Sequence, residues 1–331
     1  VARRIRALEA FLADVYDRGD IMRDGIVPKS LVTSSSHYHR QAHGIVPPNG
    51  VRIHVAGVDL VRDEVGKFHV LEDNLRSPSG VSYVLENRRT LAHVVPEVFA
   101  GYRVSPVTEY PERLYRALAT AAPRDVHDPT VVVLTPGVYN SAHFEHAFLA
   151  RRMGAELVEG RDLFCRGGFV YMRTTQGPQP VHVIYRRLDD EYLDPVQFRG
   201  DSVLGVPGLL NAARAGAVTI ANGVGNGVAD DKALYPYVPK IIEYYLGEKA
   251  ILHNVATHDL TDPDVRAHVL ERLDKMVIKP VDGSGGYGLV IGPKATEAEL
   301  EEVAAAIIAD PRSWIAQPVV TLSTSPTVGT G

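Results

Sequence analysis

Residues 51–74, VRIHVAGVDLVRDEVGKFHVLEDN, contain two apolar-rich segments on either side of the short sequence EVGK. Gly66 provides the backbone freedom that a chain reversal requires, so this pattern predicts a β-hairpin. When the reversal is centred just before Gly66, Asp59 lies directly opposite Glu72 in the paired strands. The hairpin therefore predicts that two carboxylates meet across a sheet.

Side chains alternate between the two faces of a strand, so Glu72 and Asn74 are expected on the same side as Asp59. Leu60 and Leu71 are expected to share the opposite side, where they would pack against the protein. Two carboxylates and an amide oxygen suit a hard cation such as Mg²⁺, which keeps several waters and binds substrate phosphates. An exposed hairpin with ordinary surface acids would carry the same residues, so a phosphate-binding element elsewhere is needed to decide.

Residues 276–293, MVIKPVDGSGGYGLVIGP, combine an apolar strand, a glycine-rich loop and a second apolar strand. Lys279 lies near the end of the first strand, and glycines follow at positions 283, 285, 286 and 288. Such a loop leaves backbone N–H groups free to bind an anion, and a lysine adds a point charge for phosphate oxygens. A plain hairpin with a flexible tip explains the glycines, but it does not explain a lysine within an apolar strand.

Two further segments carry residues of the same kind. Asp231 and Lys232 open the helical pattern DDKALYPYVPKIIEYYLG, and residues 314–319, WIAQPV, have the pattern of a short strand that runs into a connection. The chain contains no Gly-x-x-x-x-Gly-Lys-Ser/Thr motif, and ANGVGNGV at 221–228 lacks the dinucleotide spacing. A classical dinucleotide fold therefore loses its main support.

Taken together, these segments resemble the ATP-grasp enzymes. The resemblance implies that Lys232 and Lys279 contact the phosphates of ATP. It implies further nucleotide contacts at Asp282, Gly283, Ser284, Gly285, Gly286, Gln317 and Val319, the last two at the adenine. It also implies that Asp59, Glu72 and Asn74 bind one or two Mg²⁺ ions, for which Mn²⁺ can substitute.

In ATP-grasp enzymes the metal ligands come last, whereas in this chain they come first. This order resembles the circularly permuted ATP-grasp proteins, often named glutathionylspermidine synthase-like. The resemblance covers nearly the whole chain and rests on VLEDNLRSPSGVSYVLENR, LTPGVYNSAHFEHAFLARRMGAELVEGRDL, VIYRRLDDEYLDP, VADDKALYPYVP and VIKPVDGSGGYG. It implies a carboxylate–amine ligase that activates an acid as an acyl phosphate and then joins it to an amine.

The pattern of apolar residues predicts an α/β (α+β) fold with a central α/β lobe. The resemblance implies that this fold is a circularly permuted ATP-grasp fold and that the central lobe is pre-ATP-grasp-like. We place an N-terminal amphipathic helix and the metal-binding half in residues 1–125. The central lobe is predicted over 126–225 and the nucleotide-binding lobe over 226–331. Since the chain begins with Val1 and ends soon after the predicted adenine contact, we expect a piece of a longer protein, with an incomplete last lobe.

Arg76 follows the predicted metal ligands at once, and we expect it to act as a catalytic clamp on the γ-phosphate, alongside Lys279. A surface ion pair of Arg76 with Asp73 or Glu86 is the alternative. The turn at 77–80 precedes a predicted helix and is either an anion-binding turn or a helix cap.

Three residues are candidate substrate contacts. Asn140 and Ser141 precede a predicted helix, where backbone donors can hold a carboxylate, although Ser141 also fits an ordinary N-cap. Arg187 belongs to a charged group at the end of a predicted strand, a position from which α/β folds often bind ligands. A solvated, mutually neutralising patch would explain the same charges.

Bulk composition agrees with a small-molecule enzyme. The 331 residues are 45% hydrophobic, with a formal net charge of −5 and a pI near 6.2. This balance argues against nucleic-acid and anionic-membrane partners. Cys165 is the one cysteine, which excludes an internal disulfide and fits a reducing cytoplasm, and no apolar run is long enough to span a bilayer.

Three functions are consistent with the pattern: the carboxylate–amine ligase, an ATP-binding regulatory or scaffold module without turnover, and a small-molecule kinase. The complete set of lysines, glycine loop and metal ligands favours the ligase, because a retired active site is expected to lose ligands. The expected substrates are a small carboxylate and an amine of the amino acid, peptide or polyamine class. The sequence leaves open their identity, the pathway, the oligomeric state and the activity of this chain alone.

Overall fold

Helices and strands both occur along the whole described part of the chain in the computed structural model, which describes residues 1–283 and 285–325. The α-helices are α1 (Ala2–Val15), α2 (Asp20–Arg23), α3 (Lys29–Thr33), α4 (Val81–Val94), α5 (Pro96–Gly101), α6 (Tyr110–Ala119), α7 (His143–Met153), α8 (Asp190–Leu193), α9 (Leu209–Arg214), α10 (Val238–Leu246), α11 (Pro263–Leu270) and α12 (Glu297–Ala309). The strands are β1 (Gly57–Arg62), β2 (Phe68–Asn74), β3 (Val131–Leu134), β4 (Glu156–Val158), β5 (Leu163–Arg166), β6 (Phe169–Thr174), β7 (Gly177–Val181), β8 (Val183–Arg186), β9 (Thr219–Ala221), β10 (His253–Asn254), β11 (His258–Asp259), β12 (Met276–Pro280), β13 (Val290–Ile291) and β14 (Trp314–Pro318). The predicted α/β class is confirmed.

The chain forms two compact units, each built from segments that are distant in sequence. Unit 1 contains Val1–Tyr38, Ala56–Asn74 and the described residues from Gly227 onward, and unit 2 contains His39–Val55 and Leu75–Asn226. The predicted hairpin thus belongs to the same unit as the predicted glycine-rich loop. The division of the chain at 125 and 225 stays a prediction.

In unit 1, β1 and β2 form the predicted antiparallel hairpin, and β10 pairs with β2 in parallel. Asp59 pairs with Glu72, so the predicted register at the carboxylates is confirmed. A β-bulge follows at once, because Leu60 pairs with Val70 rather than with Leu71. Leu60 is 42% exposed, so the prediction that it packs together with Leu71 is wrong. The extra residue in β2 breaks the simple alternation of sides that the prediction assumed.

The second sheet of unit 1 has the order β11-β14-β12-β13, and each neighbouring pair is antiparallel. The glycine-rich loop connects β12 to β13, as the sequence predicts. Helices α11 and α12 supply buried side chains that pack with this sheet, including Val269 and Ile307 around Ile278. Thr296 and Glu299 form a capping box at the start of α12. The loop is therefore held at both ends by a packed sheet.

Helix α1 is the amphipathic N-terminal helix that the sequence predicts. It buries Leu8, Phe11 and Leu12 and packs against α10. The Tyr245 hydroxyl on α10 donates a hydrogen bond to Asp14 Oδ2 on α1 at 2.7 Å. Apolar burial and one polar contact thus fix α1 along α10.

Unit 2 contains a parallel sheet of order β4-β3-β8-β9 and a separate antiparallel sheet, β5-β6-β7. All four residues of β3 are buried, as is typical of a parallel strand with both faces covered. The core of this unit gathers side chains of α6, α7 and the parallel sheet, among them Leu118, Phe148 and Val133. Strand β3, helix α7 and strand β4 follow one another along the chain in this unit.

No helix among residues 1–283 and 285–325 is both long enough and apolar enough to cross a membrane.

Replacing Leu118 by alanine should destabilise unit 2. Leu118 is fully buried, so the change removes buried methyl groups and leaves a cavity, which should lower the free energy of unfolding by about 2–5 kcal/mol. Leu91→Ala on α4 is the matched control, since Leu91 is 51% exposed and should change stability by no more than about 0.5 kcal/mol. Urea unfolding followed by circular dichroism measures both; equal effects would contradict the assigned core.

Candidate functional site

A pocket in unit 1 gathers the residues that carry charge and those of the glycine-rich loop. It is lined by Leu71, Glu72, Lys232, Lys279, Pro280, Gly283, Gly285, Gly286, Tyr287 and Leu289. Four separate segments of the chain contribute: the hairpin, the element that starts at Lys232, strand β12 and the loop after it. The structure therefore brings together two predicted phosphate ligands and one predicted metal ligand.

The carboxylate of Glu72 lies in a charged environment. Burial is the main cause that raises its pKa, and the nearby Asp59 carboxylate, which is hydrogen-bonded to it, raises the pKa further. Lys232 and Lys279 act in the opposite direction. Lys232 Nζ lies 3.9 Å from Glu72 Oε2. A cation close to both acids would remove the repulsion between them.

The donor set at the hairpin fits a hard cation. Asp59 and Glu72 supply carboxylate oxygens from paired positions, and Asn74, two residues further along β2, supplies an amide oxygen. Oxygen ligands of this kind suit Mg²⁺ or Mn²⁺, not a metal that requires sulfur or imidazole. In the described part of the chain, no three or more His, Cys, Asp or Glu side chains are grouped as a metal site.

Lys232 is the first residue of a 3-10 helix, Lys232–Tyr237, which leads directly into α10. The Asp231 side chain caps this helix by accepting from Ala233 N at 3.0 Å, and it also pairs with Arg312 Nη2 at 2.7 Å. The buried Lys232 side chain donates to the carbonyl oxygen of Gly283 at 2.5 Å. Lys232 therefore lies between the glycine-rich loop and Glu72.

Lys279 lies on β12, paired with Ile315 of β14. The side chain is partly buried, and burial lowers the pKa of its ammonium group, while Glu72 raises it. A desolvated lysine gains more from a bound anion than a solvated one does, because its charge is poorly compensated before binding. This geometry explains why a lysine occurs in an otherwise apolar strand.

The glycine-rich loop adopts backbone conformations that favour glycine. Gly285, Gly286 and Gly288 have φ values of 65°, 78° and 71°, which side chains with a Cβ rarely tolerate. Asp282 is exposed, and Ser284 lies outside the described residues. Tyr287, in the same loop, lines the pocket and is not among the predicted contacts. An aromatic residue inside a glycine-rich loop was a visible signal for it.

At the predicted adenine contact, Gln317 lies in β14 and Val319 follows the end of that strand. Gln317 is only 2% exposed, and its Nε2 donates to Thr257 Oγ1 at 2.9 Å. Val319 is exposed. The side-chain amide of Gln317 thus forms a hydrogen bond with another residue of the protein.

The predicted phosphate clamp, Arg76, belongs to unit 2, where its Nη1 lies 3.3 Å from Asp189 Oδ1. The alternative that paired Arg76 with Asp73 or Glu86 is wrong. Asp73 pairs with Arg4, and Glu86 pairs with arginines of α4 and α7. The role of Arg76 at the γ-phosphate stays a prediction.

Arg187 is buried at the end of β8, and the alternative of a solvated charged patch is wrong. Its Nη2 lies 3.1 Å from Glu145 Oε1, and both side chains are almost fully buried. Its Nη1 donates to the carbonyl oxygen of Pro78 at 2.7 Å and its Nη2 to Ser79 Oγ at 2.5 Å. Arg187 therefore holds the turn at 77–80; its predicted substrate contact stays a prediction.

The carboxylate of Glu145 on α7 binds backbone N–H groups at the start of α4. Its Oε2 accepts from the backbone N–H groups of Gly80 and Ser82 at 2.8 and 3.0 Å. No side chain of the turn itself caps α4. The carboxylate occupies donors that the anion-binding alternative for the turn would need, and it interacts favourably with the positive end of the helix dipole.

Asn140 and Ser141 are exposed in the loop between β3 and α7. Asn140 Oδ1 accepts from the backbone N–H of Ala142 at 2.9 Å, and Ala142 occupies the N-cap position of α7. The alternative that made Ser141 the N-cap is wrong. Both residues stay predicted substrate contacts.

A family model described as "A circularly permuted ATPgrasp" matches residues 1–317. The chain belongs to the circularly permuted ATP-grasp family. This membership confirms the resemblance drawn from the sequence and the permuted ATP-grasp fold. It also accounts for the early position of the hairpin in the chain.

Several curated proteins are similar along nearly the whole chain. An uncharacterized protein of Mycobacterium tuberculosis (strain ATCC 25618 / H37Rv) is 63% identical over 99% of this chain and 59% of its own length. A Synechocystis protein, also named uncharacterized, is 51% identical over 98% of this chain and 68% of its own length. A Frankia casuarinae protein named "Putative glutamate--cysteine ligase 2-2" is 45% identical over 99% of this chain and 38% of its own length. The chain thus spans about three fifths of its mycobacterial relative.

Among solved structures, a glutathione synthetase-like effector from Globodera pallida, in its apo form, matches with a TM-score of 0.54. The match covers 97% of this chain and 70% of the effector, at 12% sequence identity. At this identity the likeness concerns the fold alone.

Replacing Arg187 by alanine should destabilise unit 2, because it leaves the buried Glu145 carboxylate without its cation. We expect the free energy of unfolding to fall by about 3–5 kcal/mol. The double variant Arg187→Met with Glu145→Gln should recover most of this loss, since no buried charge remains. Arg89→Ala breaks an exposed pair with Glu86 and should cost at most about 1 kcal/mol in the same denaturation assay. Full stability of Arg187→Ala would contradict the structural role.

Proposed function

We propose that the whole protein is an ATP- and Mg²⁺-dependent ligase that joins a small carboxylate to an amine through an acyl phosphate. The observation that carries this proposal is the pocket of unit 1, where the hairpin carboxylate Glu72 faces Lys232, Lys279 and the glycine-rich loop. Membership in the ATP-grasp family supports nucleotide binding at this pocket. The predicted cytoplasmic location is part of the proposal.

ATP would place its phosphates between the two lysines and the glycine-rich loop. Lys232, in the 3-10 helix, and Lys279, on β12, both supply positive charge. The glycines allow backbone N–H groups to approach phosphate oxygens closely. Since the side chain of Gln317 is bonded to Thr257, we propose that the adenine is bound by the main chain of residues 317–319. Asp282 and Ser284 are proposed nucleotide contacts of the same loop.

Asp59, Glu72 and Asn74 would hold the Mg²⁺. When bound, the ion neutralises phosphate charge and orients the transferring group. Without the ion, the two acids repel the phosphates of ATP. When the ion is bound, the acids hold a positive charge that attracts the phosphates.

The chemistry takes place in two displacements. A carboxylate oxygen of the acid attacks the γ-phosphorus of ATP, a new P–O bond forms, and the bond to the β,γ-bridging oxygen breaks, which releases ADP. The amine nitrogen then attacks the acyl carbon, the C–N bond forms, the C–O bond to phosphate breaks, and the nitrogen loses a proton. Lys279 would stabilise charge during the first displacement; the part of Arg76 is a further proposal.

The name of the Frankia relative makes L-glutamate the first acid to test, although this chain covers only 38% of that protein. A carboxylate of an amino acid or peptide also agrees with the expectation from the sequence. Asn140, Ser141 and Arg187 are the proposed contacts of the acid. Substitution of the exposed Asn140 and Ser141 should change the acid requirement, whereas substitution of Arg187 also removes a buried ion pair.

Hydroxylamine trapping tests the proposal. The protein with ATP, Mg²⁺, hydroxylamine and L-glutamate, followed by a panel of amino and peptide acids, should form a hydroxamate with one ADP released per hydroxamate. A nucleotide-binding module without turnover would give neither product. A kinase would give ADP and a stable phosphorylated product, without hydroxamate.

Two substitutions should separate nucleotide binding from turnover. Lys279→Ala should weaken ATP binding about 10- to 100-fold, because a charged hydrogen bond contributes about 1.5–3 kcal/mol. Glu72→Ala should abolish turnover and spare most of the nucleotide affinity, because it removes a metal ligand and not a phosphate contact. Calorimetric ATP titration and ADP release measure the two effects, with the exposed Lys275→Ala as control. Unchanged turnover in Glu72→Ala would refute the metal assignment.

A further inference from the structure

The middle residue of the Glu-Asp-Asn sequence in β2 is fully buried, unlike its two neighbours. Asp73 accepts hydrogen bonds from Arg4 Nε at 2.7 and 2.9 Å and from Arg4 Nη2 at 2.5 Å. Arg4 lies on α1 and is itself only 4% exposed. The proposed metal ligands Glu72 and Asn74 thus flank Asp73, which forms a bidentate, buried ion pair with Arg4.

The ion pair is part of a closed ring of polar contacts within unit 1. Arg4 Nη1 donates to Asn254 Oδ1 on β10 at 2.7 Å, and Asn254 Nδ2 donates to the carbonyl oxygen of Tyr235 at 2.7 Å. The Tyr235 hydroxyl interacts with the backbone of Asp73 and donates a hydrogen bond to the carbonyl oxygen of Asp230 at 3.2 Å. Each member of the ring contacts the next, so none can shift alone.

The ring joins the two halves of the proposed site. Asp73 lies in the strand that carries Glu72 and Asn74, and Tyr235 lies three residues after Lys232 in the same 3-10 helix. Arg4, Asp73 and Tyr235 are buried, with Tyr235 only 3% exposed, whereas Asn254 is partly buried. Directional contacts between these two elements therefore constrain the separation between Lys232 and Glu72.

We propose that Arg4, Asp73, Asn254 and Tyr235 are positioning residues that hold the metal ligands of β2 at a fixed place relative to Lys232. This inference rests on the proposed function of the pocket. A buried ion pair contributes little net stability compared with apolar packing, because desolvation offsets the attraction. The ion pair instead fixes the positions of the two side chains relative to each other. Groups that orient metal ligands from a second layer typically change metal affinity when they are replaced.

The test compares three variants with the unaltered chain. Tyr235→Phe removes one hydroxyl and keeps the shape of the side chain. The double variant Arg4→Gln with Asp73→Asn removes both charges and leaves polar groups in place. Tyr245→Phe is the matched control, because it removes the hydrogen bond to Asp14 that also fixes α1 but does not touch the ring.

Binding of Mn²⁺ is measured by electron paramagnetic resonance in the presence of a non-hydrolysable ATP analogue. Thermal unfolding and binding of the analogue without metal are measured on the same samples. We expect both ring variants to bind Mn²⁺ about 10-fold more weakly or worse, with nearly unchanged metal-free nucleotide affinity. Tyr245→Phe should lower the unfolding temperature without changing Mn²⁺ affinity.

Two results overturn the inference and leave the proposed function intact, and a third overturns both. Mn²⁺ affinity that is unchanged in a folded Tyr235→Phe protein would remove the positioning role and leave the proposed function intact. If Tyr245→Phe loses as much Mn²⁺ affinity as the ring variants do, the ring contributes to stability only and does not position the metal ligands. If the unaltered chain binds neither Mn²⁺ nor the analogue, the proposed function fails, and the inference fails with it.

Discussion

Charge compensation at the hairpin is the constraint on which the rest of unit 1 depends. Asp59 and Glu72 are paired across β1 and β2; Asp59 is exposed, whereas burial penalises the negative charge of Glu72 and raises its pKa. The positive charges come from Lys232 and Lys279, which belong to different elements. The 3-10 helix and strand β12 must therefore both approach the hairpin. The pocket lies where these elements meet.

The bulge in β2 allows one short strand to direct Asp73 and Glu72 toward two different partners. Val70 and Asp73 are both buried, although residues three apart point to opposite sides of a regular strand. The extra residue, Leu71, resets the alternation, so that Asp73 reaches Arg4 while Glu72 reaches the pocket. Bulges of this kind re-aim side chains next to functional sites. The face of β2 that carries Glu72, a proposed metal ligand, and the face that carries Asp73 thus both depend on this bulge.

Local patterns predicted the features that depend on neighbours in sequence. Strand alternation and a glycine turn were enough to place Asp59 opposite Glu72, and apolar spacing was enough for α1. The long-range polar partners were missed, because Arg4 and Asp73 are 69 residues apart and Arg187 and Glu145 are 42 apart. No local pattern specifies which buried arginine meets which acid. The bulge was missed for a related reason, since its consequence appears only when the partner strand and the core are both present.

The circular permutation has a direct counterpart in hydrogen bonds of unit 1. After β14, the chain returns to the tip of the hairpin, where Glu64 N donates to Thr321 O and Ser323 N donates to Arg62 O, each at 2.9 Å. Leu322 pairs with Asp63 in the same place. Backbone hydrogen bonds thus join the segment after the proposed adenine contact to the hairpin that, in an unpermuted ATP-grasp chain, would follow it in sequence. Because the pocket depends on which residues meet, and not on their order, the ends of such a domain can be relocated without changing the charges that line the pocket.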